Sequence, residues 1–240
     1  MPNITQNANW KRRKIPSTTI TSAIFYGITT TFSRDGDKFT VRTDGENGEL
    51  TVFTVAYVFG VDPLQQYLLP LSRGRLQALS IAWDARPASE GGQRWYHLYP
   101  DEAIDSADPL HWTGPYQNWN TRCAECHSTA LEKNYNADTR SFDTQFEELN
   151  VSCEACHGPA KKHIAHYQNP ANRYVTHLTG GPAHDEIEIR TPGNGTLDHR
   201  FSTQVCGQCH SYQFTPNMLD WRKNGSRFLP GNELKANTTV

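Results

Sequence analysis

Polar and apolar residues alternate in steps of two through the first third of the chain, which is the spacing of a half-buried strand. Lys38-Phe39-Thr40-Val41-Arg42-Thr43 follows it directly, and Asp44-Gly45-Glu46-Asn47-Gly48 supplies the turn. Glu49 to Phe59 then predicts a β-branched and aromatic strand with Leu50, Val52, Thr54, Ala56 and Val58 on one face. Ile24 to Phe32 predicts a third strand, and Leu76 to Trp83 another after the turn Ser72-Arg73-Gly74. Asp62-Pro63 reads as a helix start, with Asp62 as N-cap and Pro63 at the first helical position. Residues 1–20 are polar and aperiodic and predict an arm with little order.

From about residue 84 the periodicity fades. Pro, Gly, Trp and Tyr separate short segments, and helices are expected only at Glu147–His157 and Pro159–Tyr167, divided by Gly158-Pro159. The expected fold class is α+β with much irregular structure. A β-rich N-terminal segment with its arm (1–83) precedes a loop and short-helix domain (84–240).

The cysteines change this picture. All six lie in three copies of one pattern: Cys123-Ala124-Glu125-Cys126-His127, Cys153-Glu154-Ala155-Cys156-His157 and Cys206-Gly207-Gln208-Cys209-His210. C-x-x-C-H is the attachment signature of c-type haem. Two thiols add across the porphyrin vinyl groups, and the adjacent imidazole binds iron from one face. With 10 histidines in 240 residues, three trailing ones by chance would be roughly a one-in-ten-thousand event. The alternative is zinc, but a two-pair ribbon would strand the third pair and leave the histidines without a purpose. The expected cofactor is therefore haem c, three per chain. Hydrophobic content of 36% is low for a globular core, and porphyrin plates would supply apolar interior that side chains do not.

The formal net charge of −2 becomes about −8 once six propionates ionise. Nothing is basic enough for nucleic acid; Lys11-Arg12-Arg13-Lys14 reads as a solvated run. No stretch has the length of a membrane span, and Ile15 to Ile24 is too polar for the apolar core of a leader. Thioether attachment nevertheless points to a periplasmic or extracellular location, reached through a leader outside this numbering.

Each iron needs a sixth ligand or an open face. Methionine occurs only at Met1 and Met218, whereas His97, His111, His163, His166, His177, His184 and His199 lie outside the motifs. Seven imidazoles for three positions make bis-histidine haems feasible, with low potential and no open site. His97 sits in an aromatic segment, Arg94-Trp95-Tyr96-His97-Leu98-Tyr99-Pro100. His111 precedes the first motif in Pro109-Leu110-His111-Trp112, and His163 and His166 share a helical face. His177, His184 and His199 lie in Gly- and Pro-rich loop and are weaker candidates. A lone loop histidine is more often a surface or satisfied core group than a ligand.

Val58-Phe59-Gly60-Val61-Asp62-Pro63-Leu64-Gln65-Gln66-Tyr67-Leu68, Gly74-Arg75-Leu76-Gln77-Ala78-Leu79 and Ala82-Trp83-Asp84 resemble a family of multihaem c-type cytochromes often fused to tetratricopeptide repeats. Arg94 to Pro100, His111-Trp112-Thr113-Gly114, Asn118-Trp119-Asn120, Cys123 to Thr129 and Val151 to Pro159 carry the likeness further, and the haem region is similar to the cytochrome c-554-like group. The resemblance spans about residues 28–215. It implies electron transfer through closely stacked, mostly bis-histidine haems outside the cytoplasm. It maps the distal ligand of a neighbouring haem to His163, and it favours His97 and His111. The family pattern usually opens with a further C-x-x-C-H ahead of the β region and continues into later motifs and helical repeats. None occurs here, and Ala160 stands where glycine is usual. A version shortened at both ends is expected, to which enzyme activities of longer relatives do not carry over.

The expectation is a trihaem electron carrier, not an enzyme. It holds haem through Cys123, Cys126, His127, Cys153, Cys156, His157, Cys206, Cys209 and His210, with distal ligands His97, His111 and His163. Its partners would be redox proteins, chiefly other cytochromes. Two rivals stay open. One is a reductase or sensor of nitrite, hydroxylamine or nitric oxide with one open haem, for which the third motif is the candidate because Ser211 to Val240 holds no histidine. The other is a homo-oligomeric subunit of an extracellular conducting filament that uses exposed β edges.

Overall fold

The computed structural model describes residues 21–172 and 199–234. The expected arm over residues 1–20, His177, His184 and the side chain of His199 lie outside the described residues. The chain forms two compact units. One comprises the residues up to Ala124 together with Asp138–Phe142, and the other Glu125–Ala137 and the residues from Asp143 on.

The first unit is built from two antiparallel four-stranded sheets, β1-β2-β3-β4 and β5-β6-β7-β8. The first contains β1 (Thr21–Phe25), β2 (Ile28–Asp35), β3 (Lys38–Asp44) and β4 (Leu50–Thr54). The second contains β5 (Tyr57–Phe59), β6 (Leu64–Leu71), β7 (Arg75–Asp84) and β8 (Arg94–His97). The expected α+β class is what the structure shows, and alternation works as anticipated in β3, where Phe39, Val41 and Thr43 are buried and Arg42 is exposed. Phe32, Phe39, Val41 and Val55 share one core with Tyr67, Leu69, Leu79, Ile81 and Trp112, and so join residues of both sheets. Phe32 and Trp95 stack with ring centroids 3.6 Å apart. Truncating Leu69, which has no exposed surface, should cost about 2–5 kcal/mol. Leu50→Ala, at a position 41% exposed, should stay within about 0.5 kcal/mol. Urea unfolding of the two variants checks both.

Local expectations needed correction in four places. The strand expected over Ile24–Phe32 is two, β1 and β2, folded back at Tyr26-Gly27, where both residues have positive φ (49° and 82°). That is the twist a two-residue hairpin demands, and glycine allows it. The strand expected over Glu49–Phe59 divides into β4 and β5, which belong to different sheets. Its Leu50 and Val52 face outward, while Val55 enters the core at the crossover. No helix starts at Asp62-Pro63. The chain continues as β6, whose buried Tyr67, Leu68 and Leu69 gain more by pairing with β7 than a capped turn could offer. The helix expected from Glu147 covers only Cys153–His157. Ahead of it Glu148 and Asn150 give their carbonyls to Thr129, through its backbone N–H (2.9 Å) and its Oγ1 (2.7 Å).

The second unit has little regular structure: α2 (Ala124–His127, shared at its start), α3 (Cys153–His157), α4 (Lys161–Gln168), α5 (His199–His210) and α6 (Met218–Asn224). The first unit contributes α1 (Trp119–Arg122). No helix among the described residues is long and apolar enough to cross a membrane.

Candidate functional site

The β-rich unit sets the approach to the first motif. Gln77, on β7 and 1% exposed, donates through Nε2 to the carbonyls of Trp112 (3.0 Å) and Gly114 (2.9 Å). Its Oε1 accepts from Asn118 Nδ2 (2.9 Å). Asn120 Oδ1 accepts from the Leu76 backbone N–H at 2.7 Å. Asn118 also caps α1, accepting from Thr121 N at 3.1 Å, which satisfies one of the free donors at a helix start. Gly74 has φ 69°, and a Cβ there would collide with the Phe142 carbonyl. Two segments distant in sequence, Gly74–Gln77 and Trp112–Asn120, thus form one buried polar network immediately before Cys123.

The second and third motifs and the Glu125–His127 part of the first lie in the second unit. Cys126 Sγ lies 3.9 Å from the Cys209 carbonyl, so the first and third motifs touch. Gln208 Nε2 donates to the Ala155 carbonyl at 3.0 Å, so the third and second also touch. Cys156 packs on a small core of Val205, Phe228 and Leu234. Hydrogen bonding to Cys209 pulls the Cys126 thiol below its ordinary pKa, and the same contact pushes the Cys209 thiol up. None of the six cysteines is in a disulfide, and His127, His157 and His210 are exposed.

A second feature of this unit has no sequence signature. Lys133 is completely buried and pairs with Glu125 at 2.7 Å. Its ammonium sits 3.1 Å from the centroid of the Trp221 ring, a cation–π contact in a desolvated place. Glu125 also accepts from Ser226 N (3.1 Å). Burial lowers the Lys133 pKa, and the charge of Glu125 opposes that shift. A lysine in the polar run Leu131-Glu132-Lys133-Asn134 looks like a surface charge, and only the packing of α6 reveals otherwise. Glu125, one of the two intervening residues of the first motif, is thereby held on both sides.

These residues fit haem c. No group of three or more His, Cys, Asp or Glu side chains that could hold a metal ion by themselves exists among the described residues. Each motif presents two thiols and a trailing imidazole on a short helix. His163 Nδ1 on α4 is buried with no hydrogen-bond partner, an orphaned imidazole of the kind an absent ligand would engage. Its ring packs on Tyr167 at 4.8 Å. His166 stands three residues further on, also against Tyr167.

His97 and His111 belong to the β-rich unit, and both line one cavity there. His111, 4% exposed, is engaged at both nitrogens: Nε2 with Asp44 Oδ2 (3.0 Å) and Nδ1 with Thr113 Oγ1 (2.8 Å). Burial pushes the Asp44 carboxyl up, but the hydrogen bond and charge of His111 outweigh it, leaving the pKa below the ordinary value. His97 uses only Nδ1, against the Tyr99 backbone. Sequence reasoning read Asp44 as a turn residue and missed its partnership with a histidine 67 positions away.

Residues 93–158 match the family model of cytochrome c554 and c-prime. That segment, which contains the first two motifs, is similar to a c-type cytochrome family, whose members carry haem c and transfer electrons. No curated protein and no solved structure matches the chain.

Proposed function

We propose that this chain is a trihaem electron-transfer protein that works outside the cytoplasm. The observation that carries the reading is that the third C-x-x-C-H motif touches both of the others, with no cysteine in a disulfide. Cys123, Cys126 and His127 would hold one haem, Cys153, Cys156 and His157 a second, and Cys206, Cys209 and His210 the third. When bound, haem c supplies a one-electron iron couple whose potential depends on axial ligand, burial and hydrogen bonding. The chain's own part is to hold the first and second attachment points against the third. Gln208 ties the third motif to the second, and the Cys126–Cys209 contact ties it to the first. Glu125, clamped by Lys133 and Ser226 N, keeps the first motif from shifting against the others. Among the described residues of this unit, His163 would be the candidate to bind a haem iron besides the motif histidines, since its Nδ1 is buried without a hydrogen-bond partner. Redox partners are other electron carriers met at the exposed histidine edges of the motifs.

The test is an optical titration of protein matured with haem. Acid acetone should extract no haem, intact mass should show three additions, and a low-potential donor should reduce all three. His163→Ala should convert one haem to a high-spin, carbon monoxide-binding form, whereas the parent should bind little carbon monoxide. Rapid turnover of nitrite or hydroxylamine, with carbon monoxide binding by the parent, would replace the carrier with an enzyme that has one open haem. A colourless, zinc-loaded protein would end the haem reading altogether.

A further inference from the structure

The cavity in the β-rich unit has a volume of about 430 Å³, within the range of small-molecule sites. Strand alternation brings its polar groups to one space. Thr30 on β2 and Thr43 on β3 each lie two positions from a core residue, Phe32 and Val41, and share their inner face. His97 on β8 pairs with Ile81, another residue of that core, and faces the same way. The side-chain hydrogens here are spent within the protein. Asp44 as a carboxylate only accepts, so Thr43 Oγ1 gives its one hydrogen to Asp44 Oδ1 (3.0 Å). Thr30 Oγ1 must then donate to Thr43 Oγ1, 2.7 Å away. His111 Nε2 donates to Asp44 Oδ2, Trp112 Nε1 to the Asp44 carbonyl, and the Tyr26 hydroxyl to the Pro100 carbonyl.

What stays free is acceptor capacity. Thr30 and Thr43 keep lone pairs and no hydrogen. His97 Nε2 has no partner among the described residues, and it accepts when Nδ1 donates to the Tyr99 carbonyl. Two carboxylates, Asp44 and Asp105, line the cavity, and no lysine or arginine does. The other titratable groups there are Tyr26, His97 and His111. Thr113 N–H donates to His111 Nδ1 (3.3 Å), so in this arrangement the imidazole holds one proton, on Nε2, and leaves the Asp44 charge unbalanced. Asp105 accepts from the Ala107 N–H and belongs to the acidic stretch Asp101-Glu102-Ala103-Ile104-Asp105. Acceptors and carboxylates with no base to balance them select a positively charged donor. No set of three or more metal-ligating side chains exists among the described residues, so the cation is organic, and Phe25 and Ile81 give it an apolar wall. We propose that the cavity binds a small protonated primary amine, its N–H groups given to these acceptors and its apolar body laid against Phe25 and Ile81. The site stands apart from the haem reading, because none of its groups belongs to a C-x-x-C-H motif.

The experiment is isothermal calorimetry at pH 7 on the full chain as purified, whatever its motifs carry. The probe is 2-phenylethylamine, which is protonated there as a lysine side chain is. One molecule should bind per chain. 2-Phenylethanol, of the same shape without the charge, should bind at least about tenfold more weakly. So should the N,N,N-trimethyl derivative, which keeps the charge and has no N–H to give. Phenylacetate, an anion, should give no heat. Thr30→Val removes one acceptor and should weaken the amine about tenfold. Asp105→Asn, at an exposed position, should weaken it about threefold. Circular dichroism of both variants should match the parent, and if Thr30→Val does not fold, Asp105→Asn decides. Absence of heat with the amine, equal affinity for the alcohol or the trimethyl derivative, or unchanged affinity in the folded variants would overturn the site. A haem spectrum that changes as the amine binds would also overturn it, by placing the nitrogen on iron.

Discussion

Lys133→Met should destabilise the motif-bearing unit by about 3–5 kcal/mol, the usual cost of removing one partner from a buried ion pair. The side chain is wholly enclosed, so no water can take over its role. Its loss leaves the Glu125 carboxylate, only 19% exposed, facing an uncharged neighbour, and it removes the cation from the Trp221 ring. Glu125→Gln should cost a similar amount, because a buried ammonium is then left unpaired. The double variant should be less damaged than the sum of the two single variants, since neither charge remains stranded. Denaturant unfolding of the four proteins as a double-mutant cycle measures the coupling directly. A coupling near zero would show that Lys133 escapes to solvent and that the clamp on the first motif is not real. Because Glu125 lies between Cys123 and Cys126, the same variants should lower the yield of haem at the first motif without touching the second.

Removing Cys206 and Cys209 together should delete one haem, seen as a loss of about a third of the haem absorbance and one addition in intact mass. The third motif is the one whose neighbours reach both others, through Cys126 and the Cys209 carbonyl and through Gln208 and Ala155. Its deletion should therefore shift the potentials of the two remaining haems. Deleting the second motif through Cys153 and Cys156 should disturb chiefly the third. Redox titration of each double-alanine variant separates these outcomes. Potentials in the remaining haems that match the parent in both variants would mean that the motifs do not communicate.

The chemistry of this protein was legible from covalent spacing. C-x-x-C-H needs only local geometry to present two thiols and an imidazole, so short-range order declares it without knowledge of the fold. Alternation likewise announced β3, because the period of two is a local consequence of burying one face. Hydrophobic patterning could not tell that Tyr26-Gly27 reverses the chain, nor that Val55 crosses from one sheet to the other. Apolar residues look alike whichever core receives them. Nor could it see that Asp62-Pro63 leads into a strand, since the pairing partner of β6 is supplied from β7.

The identity of the buried polar groups belonged to tertiary structure alone. Asp44 with His111, Gln77 with Asn118 and the carbonyls around Trp112, and Lys133 with Glu125 are each pairs from separated segments. A polar residue reads as exposed until its partner is brought to it, and the cost of burying it is met only when that partner arrives. The sequence thus declared the three C-x-x-C-H motifs without the fold. Only the folded chain decided that the third motif meets both others and that His111 is held by a carboxylate.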